Sequence, residues 1–440
     1  MPDNKTFAPT PPELLLDLIA FNTTNPPGNE GPCIAYIDRL LKQAGLTTTL
    51  LAKDPQRPNL IARLKGRGAV PPLLLYGHVD VVSTQNQKWL YDPFQGTVAR
   101  DFIWGRGALD MKGGLSMMIS AFTRAARQGL DLPGDVILCL VCDEEERGEY
   151  GARFLVENHA QYFQDVRYAL GEFGGFTLYL AGKKFYPIEV AQKQKCGIRA
   201  IIKGPAGHGA WVMRNGVMAK LGRMLDKLDK NQLPVHITQP ARLMFEAMIP
   251  HLPFPNNLIL KKLLDPRWTR FVLNRLGEKG KAFVPMFENT VNATIVRGGD
   301  KINVIPGQIE VDMDARLLPG YKPADVIGEL QAMIGHDIEL KELFFDPGAE
   351  APNMGLFLML ADILKEADPG GIPIPLFLTA STDARFFSRL GIQTYGFIPM
   401  QLPPDLNFSQ SIHAADERIP IDSLYFGTDC LCKALQRFHA

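Results

Sequence analysis

Leu73-Leu-Leu-Tyr-Gly-His-Val-Asp80 is the stretch from which the rest of the chain is best read. Leu73 to Tyr76 is an apolar run too short for a helix, and it reads as a fully buried strand. Past it, His78 and Asp80 share a face if the segment stays extended. A second run of the same kind, Val136-Ile-Leu-Cys-Leu-Val141, ends in Cys142-Asp-Glu-Glu-Glu-Arg-Gly148. Between the two lie a glycine-rich loop, Gly105 to Lys112, and a helical pattern from Gly113 to Gln128. Upstream, Leu14 to Phe21 and Cys33 to Ala44 read as helices, the second closed by Gly45. Strands alternating with helices predict an α/β domain, a mostly parallel sheet flanked by helices. Ligand sites in such sheets lie at the carboxyl ends of the strands.

The middle of the chain has another rhythm. Ile198 to Lys203, Thr290 to Val296 and Gln308 to Asp314 alternate as half-exposed strands do, with a helix from Val217 to Leu228. An α+β domain spanning 196–347 is therefore expected, inserted into a catalytic domain made of 1–195 and 348–440. Residues 233–287 form an extra insertion, rich in proline, with a helical piece around Trp268 to Leu276. After Pro347 the α/β pattern returns in Leu356 to Lys365, Thr394 to Ile398 and a terminal helix from Ile421 to Phe438.

A chain of 440 residues, 46% hydrophobic and 21% charged, can bury two cores. It carries 47 basic and 47 acidic residues with no long basic block, so neither nucleic acid nor a membrane is an expected partner. Met1-Pro-Asp-Asn-Lys5 lacks the basic start and apolar run of a signal peptide, and a cytoplasmic location is expected. Six scattered cysteines make no disulfide framework. Cys139-x-x-Cys142 lies in an apolar run and reads as buried strand cysteines rather than a redox or zinc motif.

Polar groups recur where the apolar strands end. His78 with Asp80 is the pattern in which a neighbouring carboxylate fixes a metal-bound histidine, and equally that of a satisfied polar pair. Trp104-Gly-Arg-Gly-Ala-Leu-Asp110-Met-Lys-Gly-Gly114 imitates a dinucleotide fingerprint but places Asp110 where the last glycine belongs. That carboxylate would repel a pyrophosphate; it suits a bridge between two cations. Asp143 to Glu146 puts four acids at the end of a buried strand, which is costly without positive charge nearby or full exposure. Tyr168-Ala-Leu-Gly-Glu172 ends in another carboxylate, and Ser411-Ile-His413 places a histidine before the last helix. His78, Asp110, Glu145, Glu172 and His413 supply one bridge and two terminal ligands for each of two divalent ions. An N/O donor set without cysteine suits catalytic zinc, or cobalt or manganese.

With these motifs the chain resembles the co-catalytic zinc family of aminoacylases, carboxypeptidase S, acetylornithine deacetylase, succinyl-diaminopimelate desuccinylase and glutamate carboxypeptidase. The resemblance covers nearly the whole chain, and Thr379 to Phe387 with Ile412 to Ile419 is most similar to the aminoacylase and carboxypeptidase S branch. It implies that Asp110 bridges, that His78 and Glu172 hold one ion and Glu145 and His413 the other. Glu144 would be general base and then acid, with Asp80 orienting His78. With three successive glutamates the pair can also be read as Glu145 and Glu146. The resemblance further implies that the inserted domain is a lid through which a homodimer forms. His208, in Gly204-Pro-Ala-Gly-His-Gly209, would stabilise the oxyanion, while Asn303 and Arg316 would bind the substrate. The implied reaction is hydrolysis of an amide or peptide bond in an N-acyl amino acid or small peptide bearing a free carboxylate. A dipeptidase or carboxypeptidase, or a deacetylase or desuccinylase, is the alternative within the family, and a non-catalytic binding protein the one outside it.

Overall fold

The computed structural model describes residues 9–439, so the N-terminal stretch Met1 to Lys5 lies outside them. The chain divides into two compact units. The first comprises the chain up to Val190, Pro352–Leu376 and the chain from Thr382 onward; the second comprises Ala191–Ala351 and Phe377–Ser381.

The first unit is built on a nine-stranded sheet. Its order is Thr48–Leu51, Asn59–Leu64, Val136–Val141, Leu73–His78, Tyr168–Gly171, Gln393–Gly396, Lys183–Gln192 and Ile372–Leu378, with Leu178–Leu180 paired to Lys183–Gln192. The four central strands run parallel. Toward the edges the pairing is antiparallel, so the sheet is mixed and the expected parallel arrangement is its centre. Every residue of Val136–Val141 and of Leu73–His78 is buried, as strands covered on both faces require. On one face Tyr76, Cys139 and Ala169 pack with Leu155, Phe386 and Phe387. On the other, Gly77 lies so close to Leu115 and Met111 that a Cβ would sit 2.4 Å from the Met111 methyl. That contact seats the helix Lys112–Gln128, which packs with Pro11–Ile19 and Ile421–Arg437. Ile372–Leu378 holds two prolines and is found at the sheet edge, where a missing donor breaks no ladder.

The second unit carries a four-stranded sheet ordered Thr290–Arg297, Gln308–Leu317, Gln194–Lys203, Glu339–Asp346, with antiparallel pairing throughout. Ile309, Val311, Met313, Ala315 and Leu317 are buried while their neighbours are more open, the two-residue period of a sheet with one face in a core. Helices Val217–Lys230 and Pro323–Ile334 supply the rest of that core. A two-stranded ribbon pairs Gly207–His208 with Val304–Ile305. Residues 233–287 fold into short helices, among them Gln239–Met248, Asn256–Leu263 and Pro266–Leu276.

Candidate metal centre

Three of the parallel strands end side by side. His78 pairs with Val141 in register, and Leu75 with Leu170, so His78, the turn after Cys142 and Glu172 emerge at one edge. The loop before the helix Lys112–Gln128 brings Asp110 to the same edge, and the segment before the last strand brings His413. His78 Nε2 lies 3.2 Å from Asp110 Oδ1 and 3.3 Å from Glu172 Oε2. His413 Nε2 lies 3.3 Å from Asp110 Oδ2 and 3.2 Å from Glu145 Oε2. Two triads result, His78–Asp110–Glu172 and Asp110–Glu145–His413, each with ligand atoms within 4.8 Å of one another and sharing Asp110. Glu146, the other candidate for the pair, is exposed.

The protonation pattern of His78 leaves a nitrogen facing this cluster. Its Nδ1 sits 2.9 Å from the backbone carbonyl of Asp80, a pure acceptor, which fixes a proton on Nδ1 and leaves Nε2 as the nitrogen directed at Asp110 and Glu172. The Asp80 carboxylate, expected to orient His78, is farther away at 3.6 Å. It accepts instead from the backbone N–H of Glu144 at 3.2 Å and of Glu145 at 3.1 Å, and from Asn25 Nδ2 at 2.9 Å. Asp80 thus holds the imidazole through its main chain and the glutamate turn through its side chain. Gly151 closes that turn against the carbonyl of Cys142, where a Cβ would lie 1.8 Å away.

The electrostatics call for cations. Burial and the charge of Asp110 push Glu145 up to about 8, and burial with the charge of Glu144 raises Glu172 well above the usual range. Asp110 is fully buried, which alone would raise it, yet hydrogen bonds from His413 and His78 hold it well below the usual value. Hydrogen bonds to Asp110 and Glu145 lift His413 to about 10. Glu145 Oε1 is buried with no hydrogen-bond partner. A buried carboxylate oxygen left open beside two imidazole nitrogens fits a divalent ion, which would supply the missing partner and relieve the repulsion.

The sequence profile of peptidase family M20/M25/M40 matches residues 74–437, and thus spans the whole cluster. The chain belongs to that family. It is similar to a protein of Dictyostelium discoideum described as probable carboxypeptidase S-like 2, 26% identical over 371 residues that make up 80% of this chain and 69% of that one. It is also 26% identical, over 367 residues, to an N-fatty-acyl-amino acid synthase/hydrolase of Bos taurus, covering 81% of this chain and 72% of the other. Among solved structures, the M20 family metallo-carboxypeptidase of Sulfolobus solfataricus shares the fold with a TM-score of 0.66 at 19% identity, over 96% and 97% of the two chains. Membership makes the chain a metal-dependent hydrolase of amide or peptide bonds.

The remaining candidates of this family member sit elsewhere. His208 and Asn303 are both exposed on the ribbon of the second unit, tied by a 2.8 Å hydrogen bond from Gly209 N–H to the Asn303 carbonyl. Arg316 is half-buried at the end of its strand, paired with Asp314 at 3.1 Å and donating to Ser381 Oγ at 3.2 Å. Three positions carry weight that the sequence did not signal. Asn25 bridges Asp80 and Asp143. Glu417, fully buried, accepts from the backbone N–H groups of Gly107, Leu109 and Asp110 and from Arg106, clasping the loop that presents Asp110. Arg385, also buried, lies 4.0 Å from Glu144. Arg385 and Glu417 stand in Thr379 to Phe387 and Ile412 to Ile419, two segments that carry the resemblance, but nothing in either segment singles them out.

Among the described residues no helix is long and apolar enough to cross a membrane.

Proposed function

We propose that the chain hydrolyses the amide bond of an N-acyl amino acid, or of a small peptide, that carries a free carboxylate. The observation supporting this is the shared carboxylate: Asp110 offers one oxygen to each of two triads. His78 and Glu172 would hold one divalent ion and Glu145 and His413 the other, with zinc best suited to the donor set and cobalt or manganese next. When bound, the ions supply Lewis acidity toward a carbonyl oxygen and lower the pKa of a water to about 7.

The chain's own groups do the rest. Glu144 follows the ligand turn, and Asp80 fixes the backbone N–H that precedes its side chain. Its carboxylate takes the proton of the attacking water and returns it to the amine nitrogen as the C–N bond breaks. His208 would donate to the developing oxyanion, Arg316 would grip the free carboxylate in a bidentate pair, and Asn303 would steady the acyl group. The second unit would serve as lid and as the face through which a homodimer forms, in the cytoplasm.

Beside Asp110 and Glu172 the side chains of Phe173, Phe176, Met400 and Phe408 close up into an apolar wall with no cavity large enough for a water. Phe176 and Phe408 stack with centroids 4.1 Å apart. An apolar wall beside two of the ligands suits a substrate that is apolar near the scissile bond better than one with a second carboxylate there, and so an acyl-amino-acid hydrolase over a desuccinylase. A dipeptidase or carboxypeptidase with an apolar side-chain preference fits the same walls.

Glu144→Ala is expected to lower turnover by about 10²–10⁴ while the protein keeps its metal by elemental analysis. Loss of metal in that variant would sink the division of roles. A panel of N-acyl amino acids and dipeptides, assayed with added zinc, cobalt or manganese, separates the two substrate readings.

A further inference from the structure

We propose that the helical insertion of the second unit rests on an anionic lipid surface through a strip formed by Phe254, Leu258, Lys262, Trp268, Phe271 and Arg275. Phe254 is 78% exposed, Phe271 61%, Leu258 47% and Trp268 43%, an unusual density of bare apolar side chains for so short a segment. They lie together. Leu258 and Lys262 are one turn apart on the helix Asn256–Leu263, with Phe254 in the turn that leads into it, and Phe271 and Arg275 are one turn apart on the helix Pro266–Leu276. The two helices meet where Lys262 Nζ lies 4.7 Å from the centre of the Trp268 ring, and Trp268 and Phe271 have centroids 6.0 Å apart. The opposite faces already have their burial, in Leu260, Leu263, Thr269 and Leu273. The outer strip is therefore apolar beyond what the fold needs.

Charge chooses the partner. The whole chain balances 47 basic against 47 acidic residues, but residues 233–287 hold eight basic and three acidic. Across both helices and their turn the sole acid is Asp265, which is spoken for: it accepts from the Arg267 backbone at 3.2 Å and pairs with its guanidinium at 2.9 Å. Lys261, Lys262 and Arg275 flank the aromatic strip without an acid among them. Because these cations are spread along the chain in ones and twos, no basic block marks them; the turn between the helices gathers them. Aromatic rings entering the headgroup layer while Lys and Arg meet its phosphates is how an amphipathic helix lies on an anionic bilayer. Helices of 8 and 11 residues are too short to span one. A polyanion without an apolar phase would leave Phe254 and Leu258 in water.

The test is co-sedimentation of the full-length protein with vesicles of phosphatidylcholine, and with vesicles of equal parts phosphatidylcholine and phosphatidylglycerol. The protein is expected to pellet with the second only, and less at high salt. The Phe254→Ser/Phe271→Ser double variant should bind about tenfold more weakly, and Lys262→Glu should lose the preference for the anionic lipid. Phe254 and Phe271 are exposed and Lys262 half-buried, and circular dichroism verifies the fold of both variants. The proposal is overturned if the wild type stays in the supernatant with anionic vesicles, or if the variants pellet as it does. It is equally overturned if they leave pelleting unchanged and shift the sedimentation coefficient of the free protein, because the strip then covers a second copy. Binding is read without catalysis, so the outcome does not depend on the proposed reaction.

Discussion

The end of the parallel sheet and the ribbon of the second unit both carry predicted functional residues, and they are built in opposite ways. At the sheet end Asp110, Glu145 and Glu172 are withdrawn from water, and each lies against an imidazole of His78 or His413. On the ribbon His208 and Asn303 stand exposed, and Nδ1 of His208 accepts from the Ala210 N–H of its own turn. The first region is costly to assemble and holds its geometry for that reason. The second costs little, so changes on it are expected to leave stability untouched. Substitutions should separate the two.

Glu417→Ala is expected to have the largest effect. It leaves Arg106 buried without its carboxylate and three loop N–H groups unsatisfied, a loss of about 3–5 kcal/mol. Denaturant titration should show that fall and metal analysis should show depleted protein. Unchanged stability would mean the clasp is ornamental. His208→Ala should cost about 10²–10³ in kcat, the usual worth of one oxyanion donor, with the midpoint of thermal unfolding unmoved. A shifted midpoint would place His208 on the structural side of the comparison. Glu189 offers the smallest effect and the sharpest control, a buried carboxylate that belongs to neither triad. Burial alone raises it from 4.5 to about 8. The folded chain thus keeps a proton that the unfolded chain gives up between those values, and stability falls as pH rises through that window. Glu189→Gln cannot ionise, so it should flatten the slope and be more stable than wild type at pH 8 by roughly 2–4 kcal/mol. An unaltered pH–stability curve would sink this account.

These contrasts also explain what could be read in advance. His78, Glu145 and Glu172 were visible because each interrupts an apolar run at its carboxyl end, where a local pattern changes abruptly. Asp110 was visible because it spoils a glycine motif. Asn25 and Glu417 gave no such sign, since their partners lie 55 and 307 residues away and nothing in their own neighbourhoods is periodic. The insertion at 233–287 resisted reading because its prolines look like breakers. In the fold Pro240 and Pro266 open helices, where a missing N–H costs nothing. Its exposed strip was illegible for another reason: charges separated along the chain become neighbours only after two helices turn back on each other.

The two triads draw on very different lengths of chain. His78, Asp110 and Glu172 are all present once 172 residues have been made, whereas the other triad waits for His413. At ribosomal rates that interval is roughly 10–50 s. A nascent chain thus carries one half-built cation pocket, already rich in carboxylates, long before its sister can close. The clasp that seats Asp110 is later still, because Glu417 follows His413, so both pockets are completed together.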